Sequence, residues 1–514
     1  MNSDNLNISS AKDLRNPKER AFYRFLETVP GLLAWATIMA AFLLSWLAPL
    51  AAAVFIIAFD FLWFLRVSYL SFHQLSGHKK MQDNINANWM EKLETLSAIE
   101  KKDWKKIYHL IILPLYKEGT DIVGPTIQSL IDSDYPKEKM IVVLTVEERA
   151  GEKAGKLAQE MEQKFRDKFF KFLVTTHPQD LLGELKGKGS NIAWAAKRSQ
   201  ELMDSLSIPY ENVIFSDFDI DTRPYPQYFA CLTWNYLKAE NPLRSSFQPI
   251  PVYNNNIWLA PAFSRVIATS GTFWQMMQQE RQEQLVTYSS HAMSFKALVE
   301  VGYPFNVVSD DSRIFWKAFL YYNGDYKTVP LYYPVSMDAV LSKDFWRTAL
   351  NQYKQQRRWA GGSENIPYII FNFSKNKNIS LKEKIYHSFV MIEGFWSWAA
   401  SALLIFLLGW LPMLVGGSKF QTTMMSYNLP KTTSIIMTIA MVGMILSAIT
   451  SFSFLPPRPK SMSKRKVLYM VFQWFLLPIT LILFGSFPAL DAQTRLLLSK
   501  KLGFWVTEKG GVEN

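Results

Sequence analysis

From Gly31 to Phe59 the chain is apolar and carries no charge at all. At about 1.5 Å rise per residue this stretch exceeds one perpendicular crossing of a hydrocarbon core about 30 Å thick. Pro49, in "WLAPLAAA", divides it and predicts a helical hairpin over 30–48 and 50–70. Three more apolar runs follow late in the chain, at 389–413, 433–455 and 467–488. Between the two membrane-type regions the pattern changes. Short β-rich runs ("IYHLIILPL", "MIVVLTVEE", "FFKFLVTT", "VIFSDFD") alternate with helical periodicity ("GPTIQSLIDSDYP", "GEKAGKLAQEMEQKFRDKF", "NIAWAAKRSQELM"). A βαβαβαβ order predicts a mostly parallel, Rossmann-like sheet with helices on both faces. Ligands of such sheets bind outside the carboxyl ends of the strands.

Charge orients the hairpin. Lys12, Arg15, Lys18, Arg20 and Arg24 precede it and His78, Lys79 and Lys80 follow it, while the connecting turn is uncharged, so both outer ends are expected in the cytoplasm. The basic segments "KNKNISLKEK" and "RPKSMSKRK" are expected on the same side and "GGSKFQTTMMSYNLPK" on the other. A full crossing by the last run would strand Arg495, Lys500, Lys501 and Lys509 outside, and Pro478 in "FLLPITL" predicts a kinked or re-entrant segment with a cytoplasmic tail. The first twenty positions are polar, with no cleavable signal.

The 514 residues carry a net charge of +12 and are 49% hydrophobic and 15% aromatic. Clustering of the cations points to a membrane surface and away from nucleic acid. Cys231 is the single cysteine, which excludes an internal disulfide and reads as a small buried residue.

The strand ends are unusually polar. "SDFDIDTRP" brings Asp217, Asp219 and Asp221 together, and their mutual repulsion calls for a cation. Oxygen ligands select Mg²⁺ or Mn²⁺. "KGKGSN" places Lys186 and Lys188 at a helix N-terminus, a ready anion site. Asp310 and Asp311 open an aromatic-rich helix, as caps or with one of them as a general base.

Together "PLYKE", "KGKGSN", "DIDTRP", "SHAMSFKALVEVG", "SDD" and "QQRRW" resemble the family 2 inverting glycosyltransferases, in the membrane-embedded branch of cellulose, hyaluronan and mannan synthase-like enzymes. "FWVTEK" in the tail is similar to a segment of that branch. The resemblance covers about residues 106–365 and implies a GT-A catalytic domain. It implies Tyr116, Glu118 and Glu147 at the nucleotide base and Lys188 and Asn191 near the diphosphate. Asp219 and Asp221 match the metal-binding D-x-D, three places before Pro224 for the second, with Asp217 facing the nucleotide; the register Asp217/Asp219 stays open. Asp311 matches the base, although the triplet here is Ser-Asp-Asp. Gln355, Arg358 and Trp359 match Q-x-x-R-W, with Gln355 and Arg358 on the donor and the Trp359 indole under the acceptor sugar. Arg357 reads as a headgroup or surface contact.

The expected protein is an integral enzyme of the inner or plasma membrane. Residues 1–29 form a cytoplasmic segment, 30–71 a hairpin, 72–385 the cytoplasmic GT-A domain, 386–490 about three further membrane segments, and 491–514 a tail. It is expected to take a UDP- or GDP-sugar and extend a β-linked polysaccharide; a single transfer to a lipid such as a polyprenyl phosphate is the alternative. Asp60 and Glu393, in apolar surroundings, are expected to pair with cations or line a polar path. "GFWSW" is either an aromatic belt or a stacking face for glycan.

Overall fold

In the computed structural model, which describes residues 3–100, 102–460, 462–500 and 502–503, long apolar helices flank a mixed, mostly parallel α/β sheet. The four expected strands form where the apolar runs place them: β1 Tyr108–Leu115, β2 Met140–Glu147, β3 Lys171–His177 and β4 Val213–Asp217. They pair in parallel as β3-β2-β1-β4. Every residue of β2 is buried, which is why it reads as an unbroken apolar run and not an alternating one.

The sheet extends beyond this half in a way the sequence hides. Strands β5 Arg223–Pro224, β6 Ser245–Val252, β7 Ala292–Ser294 and β8 Lys327–Ser336 complete the order β3-β2-β1-β4-β7-β6-β8-β5. β7 is antiparallel to both β4 and β6, so the sheet is not wholly parallel. β6 and β8 pair in parallel although "SSFQPIPV" and "KTVPLYYPVS" each hold two prolines, residues that cannot donate to a ladder. The register shifts between Gln248 and Ile250, an irregularity of the kind that tolerates proline.

The hairpin breaks at Ala48, between helices Pro17–Leu47 and Pro49–Asn86. The second runs past the expected boundary at 71–72 and braces the sheet, with Lys80 paired to Glu280 (2.8 Å) and the Asn84 amide donating to Leu331 O (3.0 Å). Among the described residues, four segments are long and apolar enough to cross a membrane: these two, Leu381–Phe406 and Arg465–Leu497. A further long helix, Met424–Phe452, covers the run expected at 433–455.

The two loops expected on the outer side meet at one end of the bundle. A methyl group at Gly416 would lie 2.8 Å from Pro49 Cβ, and Phe420 packs with Ala53 and Ile56. The segment Arg465–Leu497 is interrupted by 3₁₀ and π turns around Pro478. Both of its ends lie against the sheet domain: Lys466 Nζ donates to Trp258 O, and Asp491 pairs with Arg357 at 2.9 Å. "FWVTEK", residues 504–509, lies outside the described residues.

Glu393 pairs with Arg66, as expected of a carboxylate in apolar surroundings, whereas Asp60 is buried beside Thr433. Of the "GFWSW" rings, Phe395 stacks on Trp398 within one helix, and Trp396 Nε1 donates to Thr37 of the first long helix (2.9 Å). Cys231 is free and buried.

Candidate active site

The carboxyl ends of β1 to β4 share one edge, and Lys188 reaches over it from the first turn of helix Lys188–Ser205. Its ammonium lies 3.3 Å from Asp217, 2.8 Å from Asp219 and 2.8 Å from Asp311. Asp217 ends β4; Asp219 and Asp221 lie in the turn that follows, so the alternation of a strand does not separate the three carboxylates. One ammonium cannot balance three carboxylates, and the cluster is built to attract a further cation. Asp217 is fully buried beneath Lys188 and accepts from the Tyr303 hydroxyl at 2.5 Å. Burial drives its carboxyl well above the usual range, and Lys188 opposes that. Asp219 and Asp311, with side chains 24% and 22% exposed, are the open carboxylates.

The pair Asp310–Asp311 is resolved by environment. Asp310 is 1% exposed, its oxygens have no hydrogen-bond partner, and burial, then the neighbouring Asp311, push its carboxyl up. A buried, protonated acid is a poor base at neutral pH. Asp311 sits in the open on Lys188, and Thr287 donates to its carbonyl at 2.6 Å.

The second glycine of "KGKGSN" is set by packing. A Cβ at Gly189 would stand 2.7 Å from Pro304 O and 3.0 Å from Asp310 Cβ. Gly189→Ala is therefore expected to cost about 1–3 kcal/mol by overpacking, read as a fall in thermal midpoint, with Gly155→Ala, which meets open space, as control.

The residues expected at the nucleotide base line the β1–β3 end of the same edge. Glu147 is buried and paired to Arg149 (3.0 Å for Nη2 to Oε1), whose guanidinium lies 4.6 Å from the centre of the Tyr116 ring. Glu118 accepts from the backbone N–H of Tyr116 and Lys117 at 2.9 and 3.1 Å, bracing that turn. His177, at the end of β3, bonds Glu184 at 2.8 Å beside them. Asn191 is committed elsewhere: its amide group is bonded to Thr145 (2.6 and 3.0 Å), pinning its helix to β2. Lys186 is exposed and paired with Asp180.

The far wall comes from helix Phe345–Ala360, whose cap Asp344 accepts from Arg347 N. Phe345, Trp346 and Leu350 are exposed along it. Its C-terminal turn brings Arg358 and Trp359 to the site. Trp359 lies 6.3 Å from the ring of Tyr253, and the Tyr253 phenol is pushed up by burial, then by Asp219 and Asp221, and opposed by Arg358. Gln355 accepts from Gln352 at 3.2 Å. Arg357 faces Asp491 and not the surface, a correction to the sequence reading. Tyr253 carries no motif and was not visible as a site residue.

Asp217, His291 and Asp311 can hold a divalent ion, since one ligand atom of each lies within 4.8 Å of the others. His291 Nδ1 lies 3.1 Å from Tyr288 O and 4.0 Å from Asp217 Oδ2. Burial lowers the imidazole to about 4, leaving a neutral ring with one nitrogen able to accept an ion. One nitrogen among carboxylate oxygens suits Mn²⁺ better than Mg²⁺. His291 lies within "SHAMSFK" but was not singled out there. Neither residue of the expected pair belongs to this group of three: Asp219 lies 2.8 Å from the Lys188 ammonium, and Asp221 accepts from the Asp338 backbone N–H at 2.9 Å.

No family model matches the chain, and no curated protein matches its sequence. Among solved structures, the mannosyltransferase PcManGT from Pyrobaculum calidifontis, in complex with GDP-Man and Mn²⁺, aligns at a TM-score of 0.44 and 13% identity, over 87% of this chain and 100% of its own. Residues 1–349 of S. aureus TarS align at 0.36 and 11%, over 68% and 91%. GalNAc-T7 with UDP, GalNAc and Mn²⁺ aligns at 0.33 and 11%, over 56% and 57%.

Proposed function

We propose that this protein is a membrane-embedded inverting glycosyltransferase of the GT-A, family 2 type, which moves a sugar from a UDP- or GDP-sugar onto a growing β-linked polysaccharide. The observation that carries the reading is Lys188 bridging Asp217, Asp219 and Asp311 at the carboxyl edge of the sheet, faced by Arg358 and Trp359 from an interfacial helix. A cation-seeking carboxylate cluster beside fixed cationic donors is what a nucleoside diphosphate leaving group requires.

In this reading Tyr116, Glu118, Glu147 and Arg149 hold the base, and Lys188, Gln355 and Arg358 face the diphosphate. Asp311 takes the proton from the acceptor hydroxyl as that oxygen bonds to C1, and the nucleoside diphosphate departs from the opposite face. A divalent ion, Mg²⁺ or Mn²⁺, would be held by Asp219 and Asp221 of the D-x-D, or by the group Asp217, His291 and Asp311, and would neutralise charge on the departing diphosphate. Asp221→Ala is then expected to weaken metal-dependent binding of the nucleoside diphosphate in a calorimetric metal titration. Unchanged affinity there, with loss in Asp217→Ala, would move the metal pair to Asp217 and Asp219.

The sheet domain lies in the cytoplasm in this reading, below the inner or plasma membrane. The return of both ends of Arg465–Leu497 to that domain supports a tail on the same side. A second reading, one sugar added to a lipid acceptor, is favoured by the engagement of Phe395, Trp396 and Trp398 in helix packing, which takes them from a glycan path. Incubation with a panel of UDP- and GDP-sugars plus Mg²⁺ or Mn²⁺, followed by sizing of the product, tests both. A long glycan supports the polymerase, a single addition the lipid reading, and no transfer from any donor rejects both.

A further inference from the structure

We infer that Glu364 is a positioning residue that fixes the distance between the base and the wall opposite it. The inference rests on the transferase reading above. Asp311 and the pair Arg358–Trp359 come from two helices, Asp310–Tyr321 and Phe345–Ala360, separated in the chain by strand β8, so their register needs a direct tie.

Glu364 lies in the short turn Gly361–Glu364 that follows Trp359. Its Oε1 accepts three bonds from the segment before Asp311: from Val308 N and Ser309 N at 3.0 Å each, and from Ser309 Oγ at 2.7 Å. Asn365 adds bonds from its amide to Ser309 Oγ (3.2 Å) and Ser312 Oγ (3.0 Å), and Arg313 donates back to Asn365 Oδ1 (2.5 Å). A Cβ at Gly362 would be 3.9 Å from Ser309 Cβ, so the two segments lie side by side.

The serine shows what the clasp is for. Ser309 is the N-cap residue of helix Asp310–Tyr321, where a hydroxyl ordinarily accepts from the first turn. Here it makes no such cap and donates to Glu364 instead. The start of the base helix is thereby set from outside, by the residue that follows the Q-x-x-R-W turn. Three donors converging on one oxygen are matched by the negative charge of a carboxylate, whose charge-assisted hydrogen bonds are stronger than those to a neutral amide oxygen.

The test uses the full chain in detergent, with nucleoside diphosphate release measured in the presence of acceptor and donor affinity measured by calorimetry. Glu364→Ala is expected to lower kcat at least about tenfold with donor KM and affinity unchanged, because a displacement of about 1 Å between base and acceptor carries such a loss. Glu364→Gln, which keeps an accepting oxygen, is expected to fall between the two and carries the test should the alanine variant not fold. Asn372→Ala, in the next helix and bonded to Tyr368 O, is the stability control. Equal loss of kcat in Asn372→Ala at equal loss of thermal midpoint, or loss of donor affinity in the Glu364 variants, would reduce Glu364 to a fold-stabilising residue and overturn the inference. A wild-type protein that turns over no nucleotide sugar would remove the transferase reading and the inference with it; wild-type turnover with an unaffected Glu364→Ala would remove the inference alone.

Discussion

Asp311→Asn is expected to lower transfer by at least about two orders of magnitude while nucleoside diphosphate affinity stays unchanged, since a positioned general base contributes that much. The asparagine keeps the shape of the side chain and can still accept from Lys188, 2.8 Å away in the native site, but it cannot take a proton. The neighbour is no substitute. Asp310 is buried behind Gly189 and its carboxyl is held up by burial and by Asp311. Steady-state rates and calorimetry on the same preparation check the split. Near-normal turnover would pass the role to Asp310. Loss of metal-dependent affinity instead would make Asp311 an ion ligand beside Asp217 and His291.

The adjacent residues Arg358 and Trp359 are expected to fail differently. Arg358→Ala removes positive charge facing the leaving diphosphate, so it should depress both sugar transfer and the slow hydrolysis of donor by water about 100-fold or more. Trp359→Ala removes the platform that Trp359 forms beside Tyr253. Transfer should collapse there while hydrolysis largely survives. Water needs no stacking surface, whereas a sugar hydroxyl must be held about 3–3.5 Å from C1. Nucleoside diphosphate release with and without acceptor distinguishes the two. Equal loss of both activities in Trp359→Ala would mean that the indole only supports its turn, and the acceptor assignment would be abandoned.

The sequence by itself determined the elements whose burial is complete or whose periodicity is strong. β1 to β4, the helices between them and the break at Pro49 follow from local pattern, because a strand buried on both faces must be apolar throughout and a proline must interrupt a helix's bonds. It also marked the chemistry: every carboxylate that touches Lys188 was visible in "SDFDID" or "SDD". The rest was decided by tertiary structure. β6 and β8 are masked by their prolines and exist because each pairs with a partner distant in sequence. The burial of Asp310 against the opening of Asp311, adjacent residues of one type, depends on which side of the helix start Gly189 packs against. Asn191 was drawn from the anion site to Thr145, and Arg357 from the surface to Asp491, by partners 46 and 134 residues away. Tyr253 and Glu364 carry no local signal, and His291 sits in "SHAMSFK" without one of its own, since a tyrosine, a histidine or a glutamate becomes part of a site only when separate segments are folded onto one edge of the sheet.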